Sequence, residues 1–396
     1  MNRPFAILLW ACALAPGADW LTRAGDLQRT GWQKEEKLLT AHTVQRLQLL
    51  WKRKLSTGSS SLTDPLLLGP IITHRGIKEL VFVKDSSDTV YAVDADLGTI
   101  FWSRHVGEGT PCAGSIPIAP VMAPSPEKPN DPEAEDDDTF SDANRPLYVL
   151  SSEGRLYALR PSTGGDFSLS LPFLPPSAKP ASLEISDKVL YATTAPACGG
   201  LPNRFWTLDL KASPNPQWRR WKENSSLLTV FKWKGQDVSA ELNSNKLVLL
   251  NPNIDHPIVG SVASKPAHSG GLATWQDAAG TRWIDTTSTS GVRAFQITGP
   301  KDHPTAIPSW ASHGLTAAGP PAIANGILYF LSYALNAGSN HLVLHAIDAL
   351  NGVELYNSGN AITSRSSSGN IALANGHVCF SAVDGVLYCF GLSFEM

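Results

Sequence analysis

Four cysteines lie beyond the first eighteen residues: Cys112, Cys198, Cys379 and Cys389. An even number points to disulfides if the chain is exported. Cys379 and Cys389 flank the tight turn Val383-Asp384-Gly385. A three-residue loop sets them directly opposite each other, with Cβ atoms near bonding distance; a two-residue loop makes them diagonal and puts the bond out of reach. Cys112 and Cys198 fall in loops of neighbouring units, where a bond between units and a pair of buried thiols both fit. No Cys-x-x-Cys or Cys/His cluster offers a zinc site.

His341 and His345 have the four-residue spacing of a helical metal pair. The run His341–Asp348 reads as a strand instead, which puts the two rings about 13 Å apart on one face. They are therefore expected to serve packing or surface roles. The acidic run Asp131, Glu133, Glu135, Asp136, Asp137 and Asp138 lacks the alternating ligands and central Gly of a calcium loop and reads as a solvated loop. No Ser/His/Asp motif, nucleotide-binding glycine loop or zinc-protease motif occurs.

The elements that would hold any site are short strands. Glu79–Val83, Val90–Asp94 and Thr99–Ser103 are runs of about five β-branched and aromatic residues bounded by turn formers. Within them Ala92, Asp94, Gly98 and Trp102 are spaced A-x-D-x-x-x-G-x-x-x-W. The Ala leaves room for a large ring, the Asp accepts from turn amides, the Gly tolerates positive φ, and the Trp buries its ring between facing sheets. Weaker copies recur, the best at Ala346, Asp348, Gly352 and Tyr356. A second unit carries Ala158 but no Trp, a third has Thr207 in the Ala place with Asp209 and Trp218, and a fifth has Trp310. The last unit, 362–394, contains three strands. The early strand Leu50–Leu55, with Trp51, has no blade of its own and would complete it, removing free edges. The expectation is an all-β, seven-bladed β-propeller over 50–396, with eight blades as the alternative.

Residues 19–49 read as an N-terminal extension. Its Trp20 and Trp32 are expected to pack under the propeller, and Thr40–Leu49 to form a short helix. Residues 1–18 read as a secretory signal: Arg3 precedes the apolar run Phe5–Ala15, which is too short to span a bilayer. Cleavage after Gly17 is preferred because Pro16 disfavours the site after Ala15. A lipoprotein box at Cys12 and a buried N-terminal strand or helix are the alternatives. The net charge of −3 gives no electrostatic footprint for nucleic acid.

The repeats at Tyr91–Trp102, His345–Tyr356 and Leu387–Leu392, with the opening Trp20–Trp32 stretch, resemble the PQQ-binding-like (quinoprotein alcohol dehydrogenase-like) propeller family, and among it the short exported members. The resemblance implies a periplasmic or secreted, monomeric propeller with no transmembrane span. Quinoprotein dehydrogenases of this kind hold the quinone against a disulfide of adjacent cysteines and bind calcium through Glu, Asn and Asp; this chain has no adjacent Cys pair. Two functions follow. One is a non-catalytic envelope propeller binding a partner protein or glycan, similar in repeat type to the propeller lipoprotein of the outer-membrane barrel-assembly machinery. The other is a periplasmic oxidoreductase using PQQ with calcium on an alcohol or sugar.

Overall fold

Runs of β-branched and aromatic residues punctuated by Gly, Asp and Asn leave this chain little alternative to antiparallel hairpins. The computed structural model describes residues 17–56, 61–107, 117–124, 145–175, 178–186, 188–195, 204–211, 217–220, 229–243, 246–250, 258–263, 270–312, 314–317, 319–334 and 341–392. Residues 1–16 of the leader, the acidic run, Cys112 and Cys198 lie outside the described residues.

Seven sheets form the blades of a β-propeller. Blade 1 is Leu66–Thr73, Gly76–Lys84, Thr89–Asp94 and Ile100–His105. Blade 2 has three strands, Leu147–Leu150, Arg155–Leu159 and Asp166–Pro172, with Val121 bridged to Tyr148 on the inner side. Blade 3 begins at Lys179–Ser186, blade 4 at Thr229–Trp233 and blade 5 at Leu272–Gln276. Blade 6 is built on Ile327–Tyr333 and Leu342–Asp348.

Blade 7 is Ser367–Ala374, His377–Ala382 and Val386–Leu392, completed by Leu47–Lys54 from the other end of the chain. That strand runs antiparallel to Val386–Leu392 and pairs Trp51 with Cys389. Val383-Asp384-Gly385 is a three-residue loop, so Cys379 stands opposite Cys389 and a disulfide joins them in the core of the blade.

The repeat motif acts across seams rather than within a blade. Ala92 faces Trp102 and Ala346 faces Tyr356 on adjacent strands. Each indole, however, docks on the next blade. Trp51 Nε1 donates to Ala95 O at 2.7 Å, Trp102 Nε1 to Pro161 O at 2.7 Å, and Trp310 Nε1 to Ala349 O at 2.9 Å. The glycine in each receiving turn lies under the incoming ring: a Cβ on Gly98 would sit 2.5 Å from Trp51, and one on Gly352 2.7 Å from Trp310. Gly98 is therefore required twice, by its φ of +63° and by the ring above it. Asp94 Oδ1 accepts from the Asp96 and Leu97 amides and so holds this turn in shape. An arginine two residues after the Trp adds a second tie: Arg53 Nε donates to Gly98 O and Arg104 Nη1 to Gly164 O, each at 2.8 Å.

The closing seam carries a buried ion cluster as well. His377 on blade 7 lies 3.3 Å from both Glu79 and Asp96 of blade 1, with Glu36 and Lys78 also acting on these carboxyls. Burial alone would lower the imidazole pKa; Asp96 and Glu79 outweigh it and hold it at about 9.

Three local expectations change. The helix at Thr40–Leu49 is a single 3-10 turn, Val44–Arg46, because Leu47 already belongs to the closing strand. Trp20 lies within the ring rather than beneath it, bridged to Leu67 on the innermost strand of blade 1. In blade 3 the residue opposite Trp218 is Trp206, not Thr207, so the insertion before Trp218 shifts the register by one.

Two measurements test these seams. Gly98→Ala should cost about 2–4 kcal/mol in urea unfolding, whereas Gly76→Ala, at φ +89° with nothing within 4 Å, should cost about 1 kcal/mol. His377 has a folded pKa above its unfolded 6.5, so its stabilisation is complete below pH 6.5 and is lost as pH rises through about 9. His377→Gln should accordingly destabilise on the order of 2–3 kcal/mol at pH 6, and the deficit should vanish by about pH 10.

Candidate functional site

The candidate site is the centre of the ring, and the chain's own opening segment occupies much of it. Residues 17–39 touch all seven blades. Trp20 N donates to Leu67 O at 2.7 Å, and Leu21 O accepts from Met122 N beside blade 2 at 3.1 Å. Arg29 pairs with Glu184 of blade 3. Gln28 O accepts from Val230 N of blade 4 and Thr30 O from Thr274 N of blade 5, both at 2.8 Å. Trp32–Gln33 runs parallel to Ala322–Ala324 of blade 6. The Asn375 side chain of blade 7 grips Ala18 from both sides, through Oδ1 to its amide and Nδ2 to its carbonyl.

The local sequence explains the shape of this plug. Gly25 and Gly31 take positive φ, and Asp26 accepts from both the amide and the hydroxyl of Thr30, closing a loop at the tip. Burial raises the Asp26 pKa, and the Thr30 bonds oppose the rise.

Two cavities flank the tip. One, of about 350 Å³, is bounded by Arg23, Asp64, Ile118, Lys179, Ser182 and Glu184. The other, of about 240 Å³, is bounded by Arg23, Arg29, Thr229, Leu272, Pro320 and Asn370. A bulge at Ala181 offsets the pairing of the first strand of blade 3, so Lys179, Ser182 and Glu184 fall on one face despite their odd spacing. Most carboxylate oxygens here are already engaged, although Glu184 Oε2 is buried without a hydrogen-bond partner among the described residues. Asp64 receives Arg23 Nε at 2.8 Å, Asn370 N at 2.8 Å and Asn370 Nδ2 at 3.0 Å. Glu184 receives Arg29. Burial pushes both carboxyls up, and the arginines pull against it.

None of Trp51, Ala92, Asp94, Gly98, Trp102, Ala346, Asp348 or Gly352 borders these cavities; they hold the seams. His345 is a packing residue, stacked on Phe330 and bonded to Ser332 and Glu354. Burial lowers its pKa and Glu354 opposes this. A further raised carboxyl is structural: burial raises Asp285 to about 8, and its Oδ2 accepts from Trp275 Nε1 at 2.7 Å. Arg23, Arg29, Asp64, Lys179 and Glu184 escaped sequence reasoning. Only the concentration of Trp, Gly and Asp in the opening stretch marked their neighbourhood.

The sequence matches no protein-family profile and no curated protein. Solved structures do resemble it. A europium-containing methanol dehydrogenase aligns with a TM-score of 0.59 at 9% identity, covering 96% of this chain and 99% of that one. The quinohemoprotein alcohol dehydrogenase from Comamonas testosteroni aligns with a TM-score of 0.55 at 11% identity, covering 96% and 81%. At these identities the likeness concerns the fold. The chain is a seven-bladed β-propeller whose fold is similar to theirs.

The axial residues do not fit a quinone held with calcium. Calcium takes six to eight oxygen ligands. Here Asp64 and Glu184 are committed to arginines and Asp26 to Thr30, and among the described residues no three His, Cys, Asp or Glu side chains converge on a metal position. Among the described residues no aromatic ring borders either cavity to stack on a planar quinone. The Cys379–Cys389 disulfide is sealed inside blade 7, away from the axis.

The arginine pairing is testable. Arg29→Met leaves Glu184 buried without its partner and should cost about 3 kcal/mol in urea unfolding; adding Glu184→Gln should recover at least half of that loss.

Proposed function

We propose that this chain is an exported, non-catalytic propeller of the cell envelope that binds a partner protein or glycan. The observation that carries this reading is the axial plug. Its arginines neutralise Asp64 and Glu184, the buried acids of the cavity that a catalytic or metal-binding centre would need. The apolar leader at 5–15 and the disulfide of blade 7 support export. Among the described residues no helix is long and apolar enough to cross a membrane.

A quinone-reconstitution experiment tests it. Purified protein incubated with excess PQQ and calcium, then desalted, should retain no quinone absorbance and reduce no dye with alcohols or sugars. Retained quinone with substrate-dependent dye reduction would establish the oxidoreductase reading instead.

A further inference from the structure

The two arginines of the plug tip are only partly used. Arg23 turns Nε to Asp64, and Arg29 turns Nη2 to Glu184. Neither guanidinium donates to any other described residue, so Nη1 and Nη2 of Arg23 and Nε and Nη1 of Arg29 are unspent donors. Nor are these side chains sealed in: 43% of Arg23 and 18% of Arg29 remain accessible at the centre of the ring.

Both border the smaller axial cavity, of about 240 Å³. That cavity is chemically one-sided. Asp64 and Glu184 border the larger cavity and not this one, so the described lining here holds two cations and no acid. The other polar side chains in the wall have spent their donors, Thr229 on Arg29 O at 3.0 Å and Asn370 on Asp64 at 3.0 Å. Much of the remaining wall is apolar: Ala24, Leu242, Leu272 and Pro320. The charge balance points the same way. Lys179, across Arg23 in the larger cavity, has no ion-pair partner among the described residues. Arg23, Arg29 and Lys179 thus face Asp64 and Glu184 with one positive charge in excess.

We propose that the smaller axial cavity binds a short aliphatic carboxylate, its oxygens on the free N–H groups of Arg23 and Arg29 and its tail against Leu242, Leu272 and Pro320. A planar carboxylate matches the fork of a guanidinium, and one negative charge balances the excess. A phosphate dianion would overshoot that balance and leave the apolar wall in water. The cavity equals the liquid volume of about eight waters, which suits an acid of about six carbons. The site goes beyond the partner-binding reading, since its ligand is a small molecule held on the axis.

The test titrates the full chain with hexanoate carrying carbon-13 in its carboxyl group, followed by NMR. Hexanamide, of the same shape without the charge, is the control. Hexanoate should bind saturably with a Kd of about 1 mM, and hexanamide roughly tenfold or more weakly. Ala24→Leu fills the cavity and leaves both ion pairs in place; it should weaken hexanoate roughly tenfold. Arg29→Met combined with Glu184→Gln removes one fork without stranding a buried charge, and should weaken it as much. Inorganic phosphate at equal concentration should leave hexanoate bound. No saturable binding to the wild type, equal binding of hexanamide, displacement by phosphate, or full affinity in either folded variant would each overturn the proposal. Quinone retention after desalting and hexanoate binding are separate readouts, so failure of the one is distinguishable from failure of the other.

Discussion

The pairing of Leu47–Lys54 with Val386–Leu392 is the constraint on which the rest of the molecule depends. Seven sheets arranged in a ring have no free seam only if the last sheet meets the first. The chain achieves this by lending its beginning to its end. The strand brings Trp51 and Arg53 onto the blade 1 turn, while His377 of the same blade is clasped by Glu79 and Asp96. Closure therefore combines a backbone ladder within blade 7 with a docked indole and a buried ion cluster at its seam with blade 1. A break there would expose both sheet edges and the core behind them.

Closure also fixes what the centre can do. Residues 17–39 leave the closing strand and run through the ring, and each blade contributes a backbone or side-chain tie. A segment bound by seven separate sheets cannot form before those sheets are near one another, so its order reports the completed ring. Pairing Arg23 and Arg29 with Asp64 and Glu184 satisfies carboxylates that would be costly alone in a low-dielectric interior. Among the described residues no three acidic or other metal-ligating side chains converge on the axis. The fold resembles that of quinone-dependent dehydrogenases while its centre is organised around internal ion pairs, as expected when function resides in sites rather than in architecture.

The seams were largely legible in the sequence. The spacing of Ala92, Asp94, Gly98 and Trp102 encodes turn, ring and receiving surface within one unit, because each blade repeats the same local geometry. The three-strand final unit and the unclaimed strand with Trp51 gave the closure. The centre was not legible. Arg29 and Glu184 are separated by 155 positions, and no local pattern relates them. The bulge at Ala181, which puts Lys179 and Glu184 on one face, depends on pairing with the neighbouring strand. The short helix expected at Thr40–Leu49 gave way for a similar reason: Leu47 onward gains a full ladder against the last strand, which outweighs a weak local preference.

By itself the sequence determined the repeating unit: hairpins, turn residues and the tryptophans that join blades, all properties of residues within about a dozen positions of one another. Only the tertiary structure decided which blade receives which ring, that the N-terminal segment plugs the axis, and that its arginines quench the acids there. Those outcomes require residues hundreds of positions apart to be brought together. That proximity exists only once the ring has closed.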